Sequence, residues 1–329
     1  MVQIRVPGKI MLAGEYAVLR GGACIACTIE PYLTVLCTLQ EGYSLASDLW
    51  KTPRVFPLSE LASISASEPF IQAVQEAAQH WHLPGARIEV HSQLTIEAGL
   101  GSSSALRGAV IAALAQVRAP DTAPLSRESL IETVTQLQRV SQRHASGYDI
   151  MTQVHGGLLL LVPDTGAVQP LASDSLEPIC EAWAGGKGAP TGPTMQDTLA
   201  WLDAGDRWPA LMLRSQAAVN HLVGFFSHHL SLDDLLAEMG RYSQFFEAAP
   251  HFPSAIHTVF EGLSGLDRTW SYKPTGAGGE DSLLLLGSAE ARAPARERLQ
   301  KLGWYRLPGK LGVAGIERKE GTSWQPLFT

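Results

Sequence analysis

Charge is scarce in this chain. Asp, Glu, Lys and Arg make up 17% of the 329 residues, and 25 basic against 32 acidic side chains leave a net charge of −7. With 45% hydrophobic residues beside them, this excludes a basic nucleic-acid binder, a coiled coil and a solvated tail. An anionic ligand must be held by a local arrangement of donors, because the general field repels it. Cysteine is equally sparse, with four residues, which agrees with a reducing compartment for a chain that can rely on its core. Cys24 and Cys27 have C-x-x-C spacing, but no second such pair and no His pair completes a zinc site. Both fall in the strand-like run Ala23 to Glu30, whose period of two points them to opposite faces, so plain buried thiols are expected. Long apolar runs are also missing. Ala109 to Ala115 and Leu158 to Val162 fall far short of the ~18 residues of a membrane span, so no membrane partner is expected. The first residues lack a charged n-region followed by an apolar stretch and a small-residue cleavage site, and the expected location is the cytoplasm.

Several familiar motifs fail as well. The three Gly-Lys pairs are followed by Ile10, Gly188 and Leu311 where a Walker loop needs Ser or Thr. Gly99-x-Gly101-x-x-Ser104 ends in the wrong residue for a dinucleotide fingerprint. Gly101-Ser102-Ser103-Ser104-Ala105 closes on alanine where a nucleophile elbow needs glycine, which leaves serine hydrolysis a weak rival.

What is present reads as α+β. Strand patterns cover Gln3 to Val6, Ala23 to Glu30 and Tyr32 to Leu39, punctuated by Gly14, Gly21, Gly22 and Pro31. Helical periodicity covers Pro69 to Trp81, Ser103 to Val117 and Arg127 to His144, with strands at Ala86 to Ser92 and Leu158 to Val162. After the turn Pro163-Asp164-Thr165-Gly166 the pattern becomes helical at Pro193 to Leu202, Pro209 to Leu230 and Leu232 to Phe246. A strand at Ser282 to Leu286, a helix at Ala289 to Leu302 and strands at Trp304 to Leu307 and Val313 to Glu317 complete the pattern. Length predicts about two domains, and the change of character puts their boundary near residue 165, giving 1–165 and 166–329.

Three glycine-rich loops carry the chemistry. Gly99-Leu100-Gly101-Ser102-Ser103-Ser104-Ala105 leads into an apolar helix. Its glycines let the backbone approach a ligand, its hydroxyls offer donors or metal ligands, and the helix start turns free N–H groups and a positive dipole end toward the loop, an arrangement that suits phosphate. Lys273-Pro274-Thr275-Gly276-Ala277-Gly278-Gly279-Glu280-Asp281 precedes the strand at Ser282, and its small residues also permit main-chain contact with a ligand. Near the N-terminus, Pro7-Gly8-Lys9 and Gly14-Glu15-Tyr16 set a cation and a carboxylate six residues apart.

These loops, in this order, resemble the GHMP family of small-molecule kinases. Pro7-Gly8-Lys9-Ile10-Met11-Leu12-Ala13-Gly14-Glu15-Tyr16 and Trp183-Ala184-Gly185-Gly186-Lys187-Gly188-Ala189-Pro190-Thr191 are most similar to the phosphomevalonate branch. Ser146-Gly147-Tyr148-Asp149 matches the family's S-G-x-D, and Gly156-Gly157 comes next, as expected. The resemblance implies an N-terminal half like domain 2 of ribosomal protein S5 and a C-terminal ferredoxin-like half, with ATP and acceptor between them. It implies ATP and Mg2+ as cofactors, phosphomevalonate as acceptor, and a monomer or homodimer with no nucleic-acid partner. Mevalonate or another small alcohol or sugar is the alternative acceptor, and a nucleotide-binding homologue without transfer activity is the alternative from another class.

By the same resemblance Lys9 and Asp149 are the catalytic pair, and Gly99, Leu100, Gly101, Ser102, Ser103 and Ser104 bind the nucleotide. Glu15, Tyr16, Ser146, Gly147, Lys187, Gly276, Ala277 and Gly278 serve the acceptor. The metal falls to Ser103 together with Gln138, which stands where many members of the family have glutamate. Thr95, Glu97 and Glu280 also depart from the family wording. Arg107, Arg139 and Arg143 lie near the motifs and are expected to be solvated, while Trp81, Trp183 and Trp270 are expected to pack.

Overall fold

The computed structural model describes residues 1–329 apart from 49, 62, 65–67, 96–97, 119–123, 142–144, 175, 186–190, 250–268, 276–281 and 329. Its strands run β1 Val2–Ala13, β2 Cys24–Leu39, β3 Gly42–Ser47, β4 Arg54–Phe56, β5 Gly85–Ser92, β6 Leu158–Val162, β7 Ala167–Leu171, β8 Cys180–Ala184, β9 Trp270–Pro274, β10 Ser282–Gly287, β11 Tyr305–Arg306, β12 Glu317–Glu320 and β13 Ser323–Pro326. Its helices are α1 Leu58–Leu61, α2 Pro69–Trp81, α3 Ser102–Val117, α4 Arg127–Ser141, α5 Tyr148–His155, α6 Leu176–Ile179, α7 Thr191–Ala204, α8 Trp208–Phe226 and α9 Leu232–Glu247, with a further helix over Ala293–Lys301.

The strands form two sheets, as the α+β reading requires. The larger orders as β13-β12-β1-β2-β5-β3-β4, with β6 pairing β2 and β7 pairing β6, and the smaller as β11-β8-β10-β9. The boundary expected near residue 165 falls between β6 and β7, two strands of one sheet, and the C-terminal hairpin β12-β13 returns to pair with β1. The exposed edge of a sheet is a row of unpaired donors and acceptors, and the hairpin covers the one that β1 would present. Change of sequence character located the start of the helical segment, but which sheet a strand joins is a long-range property.

Pro31 does not end a strand. Pro7 pairs with Tyr32 and Gly8 with Ile29, so Glu30 and Pro31 bulge out of a continuous β2, a position that tolerates a residue without an N–H. Cys24 and Cys27 do face apart, Cys24 packing with Met11, Met151 and Leu161 and Cys27 with the main core. All four cysteines are free and buried, and burial raises the thiol pKa of Cys24 and of Cys27.

One helix and one strand frame the candidate site. The Ala-rich α3 is buried almost throughout and packs on β1, β2, α2 and α4. Small side chains let it lie close to its neighbours, and its N-terminus meets the segment that leaves Pro7 and Gly8. In the smaller sheet, all six residues of β10 are buried, as a run of four leucines between two partner strands requires. Trp183 and Trp270 are buried packing groups here. Among the described residues no helix is long and apolar enough to cross a membrane.

Candidate active site

Lys9 sits mid-strand in β1 and is only 4% exposed. Its Nζ donates to the Gly99 carbonyl at 3.0 Å and to the Tyr148 hydroxyl at 2.8 Å, and pairs with Asp149 Oδ1 at 2.9 Å. An ammonium has three N–H groups, and here three oxygens from three separate residues surround it. The backbone joins in, Lys9 N donating to Leu100 O at 3.0 Å. Asp149 lies in the first turn of α5, and 24% of its side chain remains open to solvent. The pair therefore has a buried cationic side and an accessible anionic side.

The Gly99 to Ser104 loop wraps this pair. Gly101 caps α3 in the left-handed region at φ 72°, which leaves the N–H groups of the first helical turn without intrahelical partners. Gln153 of α5 ties the parts together. Its Nε2 donates to Pro7 O at 3.1 Å and Gly101 O at 3.0 Å, and its Oε1 accepts from Ser104 Oγ at 2.6 Å. A Cβ on Gly101 would lie 2.9 Å from Lys9 Cε and 3.2 Å from Gln153 Nε2. Gly101→Val is accordingly expected to abolish nucleotide binding in calorimetry while the thermal melt stays cooperative, since strain and clash are confined to the loop. Unaltered ATP affinity in this variant would remove the loop from the site.

Gly147, the residue before α5, is held at φ 81°, and a Cβ there would come 2.5 Å from Thr135 Oγ1 of α4. It starts α5 so that Asp149, in the first turn, reaches Lys9. Glu15 and Tyr16 go elsewhere. Glu15 forms a buried ion pair with Lys273 of β9, and its Oε2 accepts from Tyr242 of α9 at 3.0 Å. The Tyr242 hydroxyl itself accepts from Gly14 N at 3.1 Å. Burial holds the Lys273 amine below the usual lysine range, with Glu15 opposing the shift. Tyr16 adopts φ 60° and packs on Phe246 of α9 at 6.3 Å, and burial raises its hydroxyl to about 12. Glu15 and Tyr16 thus clamp the N-terminal segment against α9 and the smaller sheet.

The base of the third loop touches the first. Thr275 N donates to Ser282 O at 3.0 Å, and Ser282 Oγ donates to Ala98 O at 2.9 Å, one residue before Gly99. Gly276, Ala277, Gly278 and Lys187 lie outside the described residues, as do Glu97, Glu280 and Arg143. Arg139 is exposed and donates to Ala145 O at 3.2 Å. Arg107 differs from expectation. It is fully buried on α3, because Gln72 of α2 supplies an acceptor inside the helix pair.

The residues assigned to magnesium fit it poorly. Ser103 Oγ accepts a hydrogen bond from the Arg107 guanidinium, and Gln138, buried on α4, brings a neutral amide where a hard divalent ion prefers carboxylate. What the site offers a ligand is its side chains and the backbone donors at the start of α3.

Sequence reasoning gave no role to Tyr148, Lys273, Tyr242 or Gln153, and placed Lys273 in a loop where the structure has it in β9. A lysine inside a short aromatic strand such as Trp270–Pro274 was a readable sign of a buried partner. Burial and the adjacent Asp149 raise the Tyr148 hydroxyl far above its ordinary pKa, so it stays protonated beside Lys9. The Tyr148 position is the variable one in S-G-x-D, and nothing local marks it.

Residues 68–157 match the family model of the GHMP kinases N terminal domain. The chain is 28% identical over 152 residues to a mevalonate kinase of Archaeoglobus fulgidus, covering 46% of this chain and 49% of that one. The chain thus spans about half the length of the curated relatives it matches. Its fold is that of the Lin0012 protein of Listeria innocua (TM-score 0.81, 18% identity, 97% of this chain and 99% of that one). It is also that of the Streptococcus pneumoniae phosphomevalonate kinase in complex with phosphomevalonate and AMPPNP (TM-score 0.72, 16% identity, 94% of this chain and 100% of that one).

Proposed function

We propose that this chain is a kinase that transfers the γ-phosphoryl group of ATP to a small acceptor, with phosphomevalonate as the first assignment. The observation that carries the reading is the Lys9–Asp149 pair set beside the N-terminus of α3. Phosphoryl transfer asks a protein for positioning and charge neutralisation more than for covalent chemistry. The N–H groups of the first turn of α3 face the nucleotide phosphates. Lys9 supplies positive charge close to the transferring group while its three bonds hold the loop, Tyr148 and Asp149 in register. Asp149 orients the acceptor oxygen. That oxygen forms the new bond to phosphorus as the bond to the β-phosphate oxygen breaks and ADP leaves. An alcohol acceptor gives its proton to Asp149. A phosphate monoester, with its second pKa near 6, is already largely ionised at neutral pH, and Asp149 then acts by position alone.

The choice of phosphomevalonate rests on the wording around Tyr16 and in 183–191. Mevalonate is the second reading, favoured by the name of the curated relatives. Either acceptor places the chain in isoprenoid precursor synthesis, as a cytoplasmic enzyme with small-molecule substrates, monomeric or homodimeric. The test is ADP release across mevalonate, phosphomevalonate and sugars at saturating ATP. We expect kcat/KM for phosphomevalonate to exceed that for mevalonate by at least tenfold. The reverse preference moves the assignment to mevalonate, and no acceptor-dependent ADP release ends the kinase reading.

A further inference from the structure

Gln153 is an amide with 0% exposure on a helix whose buried residues also include Ile150, Met151 and Val154. A polar group in such a place is costly unless it is bonded. Both of its N–H groups are used, on the Pro7 and Gly101 carbonyls, and its oxygen faces the Ser104 hydroxyl. Ser104 is itself 1% exposed. Its single proton is taken inside the protein, where Gln153 Oε1 at 2.6 Å is nearer than Gly101 O at 3.0 Å.

Gly101 O is the last of three successive carbonyls held by buried donors. Gly99 O accepts from Lys9 Nζ and Leu100 O from Lys9 N, each at 3.0 Å, and Gly101 O accepts from Gln153 Nε2 at the same distance. Lys9 thus sets two of these peptides and Gln153 sets the third. The peptide bonds of this loop are trans, so each N–H points opposite to the carbonyl with which it shares a plane. Carbonyls fixed inward therefore turn the N–H groups of Leu100, Gly101 and Ser102 outward. Gly99 and Gly101 adopt φ 62° and 72°, the left-handed conformation that gathers successive N–H groups into an anion-binding concavity.

We propose that Gln153 is a positioning residue for the nucleotide: together with Ser104 it fixes the Gly101 carbonyl and so aims the Ser102 N–H at the phosphates. Ser104 acts through Gln153 and does not itself touch ATP. This rests on the assignment of the Gly99 to Ser104 loop to nucleotide and specifies how that loop is held. Asp149 lies one turn before Gln153 on α5, so one helix carries both the carboxylate assigned to the acceptor and the tie to the nucleotide loop.

The test is calorimetric titration of the whole chain with ATP in excess Mg2+, joined to steady-state kinetics with phosphomevalonate and mevalonate. Gln153→Met has similar length and no N–H groups. With its fold checked by a thermal melt, it is expected to weaken ATP and to lower kcat by at least about tenfold each, while KM for the acceptor changes less than about threefold. Ser104→Ala is expected to weaken ATP about fivefold in the wild-type background and less than about twofold beside Gln153→Met, where the bond it supports is already gone. A folded Gln153→Met that binds ATP as the wild type does would overturn the proposal. So would a loss of equal size for Ser104→Ala in both backgrounds, which would put that hydroxyl on the phosphates and leave the nucleotide reading intact. No ATP binding by the wild type would overturn both. Should Gln153→Met not fold, Gln153→Asn, whose amide falls one methylene short of the two carbonyls, takes its place in the same measurements.

Discussion

Asp149→Asn is expected to lower kcat by about 10²- to 10⁴-fold, the range of a positioned acid–base or orienting group, while the dissociation constant for ATP changes by less than about threefold. Asparagine keeps the size of the side chain, and its carbonyl can still accept from Lys9 Nζ, so the three-way anchoring of that ammonium by Gly99, Tyr148 and residue 149 survives. What changes is charge. The pair goes from neutral to a net positive site, which does nothing to weaken a polyanionic nucleotide. The amide can neither take a proton nor hold an acceptor hydroxyl as strongly as a carboxylate does. The loss therefore belongs to the step in which the acceptor oxygen meets phosphorus, and it reads as a fall in kcat and kcat/KM together. Lys9→Met should lose turnover and also slacken the loop, because it removes the bond to Gly99 as well as the charge. Steady-state kinetics for both substrates, with ATP affinity measured separately, decide the matter. Weakened ATP binding with normal turnover in Asp149→Asn would place that residue in nucleotide binding and take it out of the transfer step.

Lys273→Met is expected to destabilise the protein by about 3–5 kcal/mol, the usual consequence of leaving one member of a buried pair alone. Lys273 is 0% exposed, donates to Glu15 and to the Pro274 carbonyl at 2.8 Å, and shares Glu15 with Tyr242. Removing the amine strands the Glu15 carboxylate in a buried interface beside the Tyr242 hydroxyl. At roughly 2–4 °C per kcal/mol for a domain of 150–250 residues, the midpoint of thermal unfolding should fall by about 10 °C. The double variant Glu15→Leu, Lys273→Met separates causes. If the loss comes from an uncompensated charge, the double variant recovers much of it, because replacing a whole buried pair by apolar groups is often neutral. If the double variant is as unstable as the single one, the pair contributes through the geometry it imposes on β1, α9 and β9. Glu15 stands six residues from Lys9, so a variant that folds but turns over slowly would tie this clamp to the position of the catalytic pair.

Helix periodicity located α2, α3 and α9 closely, because each buries one face or all of its surface and the apolar spacing records that directly. The capping box from Ser231 to Asp234 starts α9 where the pattern begins. The short α5 was not legible as a helix, since its eight residues give too little periodicity and its start is marked only by Gly147. The strands β3 and β8 were also missed, being only six and five residues long. In the candidate site, Lys9, Asp149 and the glycine and serine loop could be named because glycines at fixed offsets and paired charges beside them are local facts. Tyr148, Gln153 and Arg107 could not, because each acts through a partner from another segment or another turn.

By itself the sequence determined the mixed α and β class, the buried thiols facing apart on one strand, the donor-rich start of α3 and the identity of the opposite charges available to it. Those are properties of residue type, alternation and backbone freedom, which act over a few residues. Only the tertiary structure decided that Lys9 meets Asp149 and that Glu15 is taken by Lys273, 258 residues away. It alone joined β12 and β13 to the first sheet and buried Arg107 against Gln72, beside Ser103. Pairings of this kind depend on how whole elements pack and which sheet edge is left open, so they are set by the summed burial of the core and not by the local pattern around either partner.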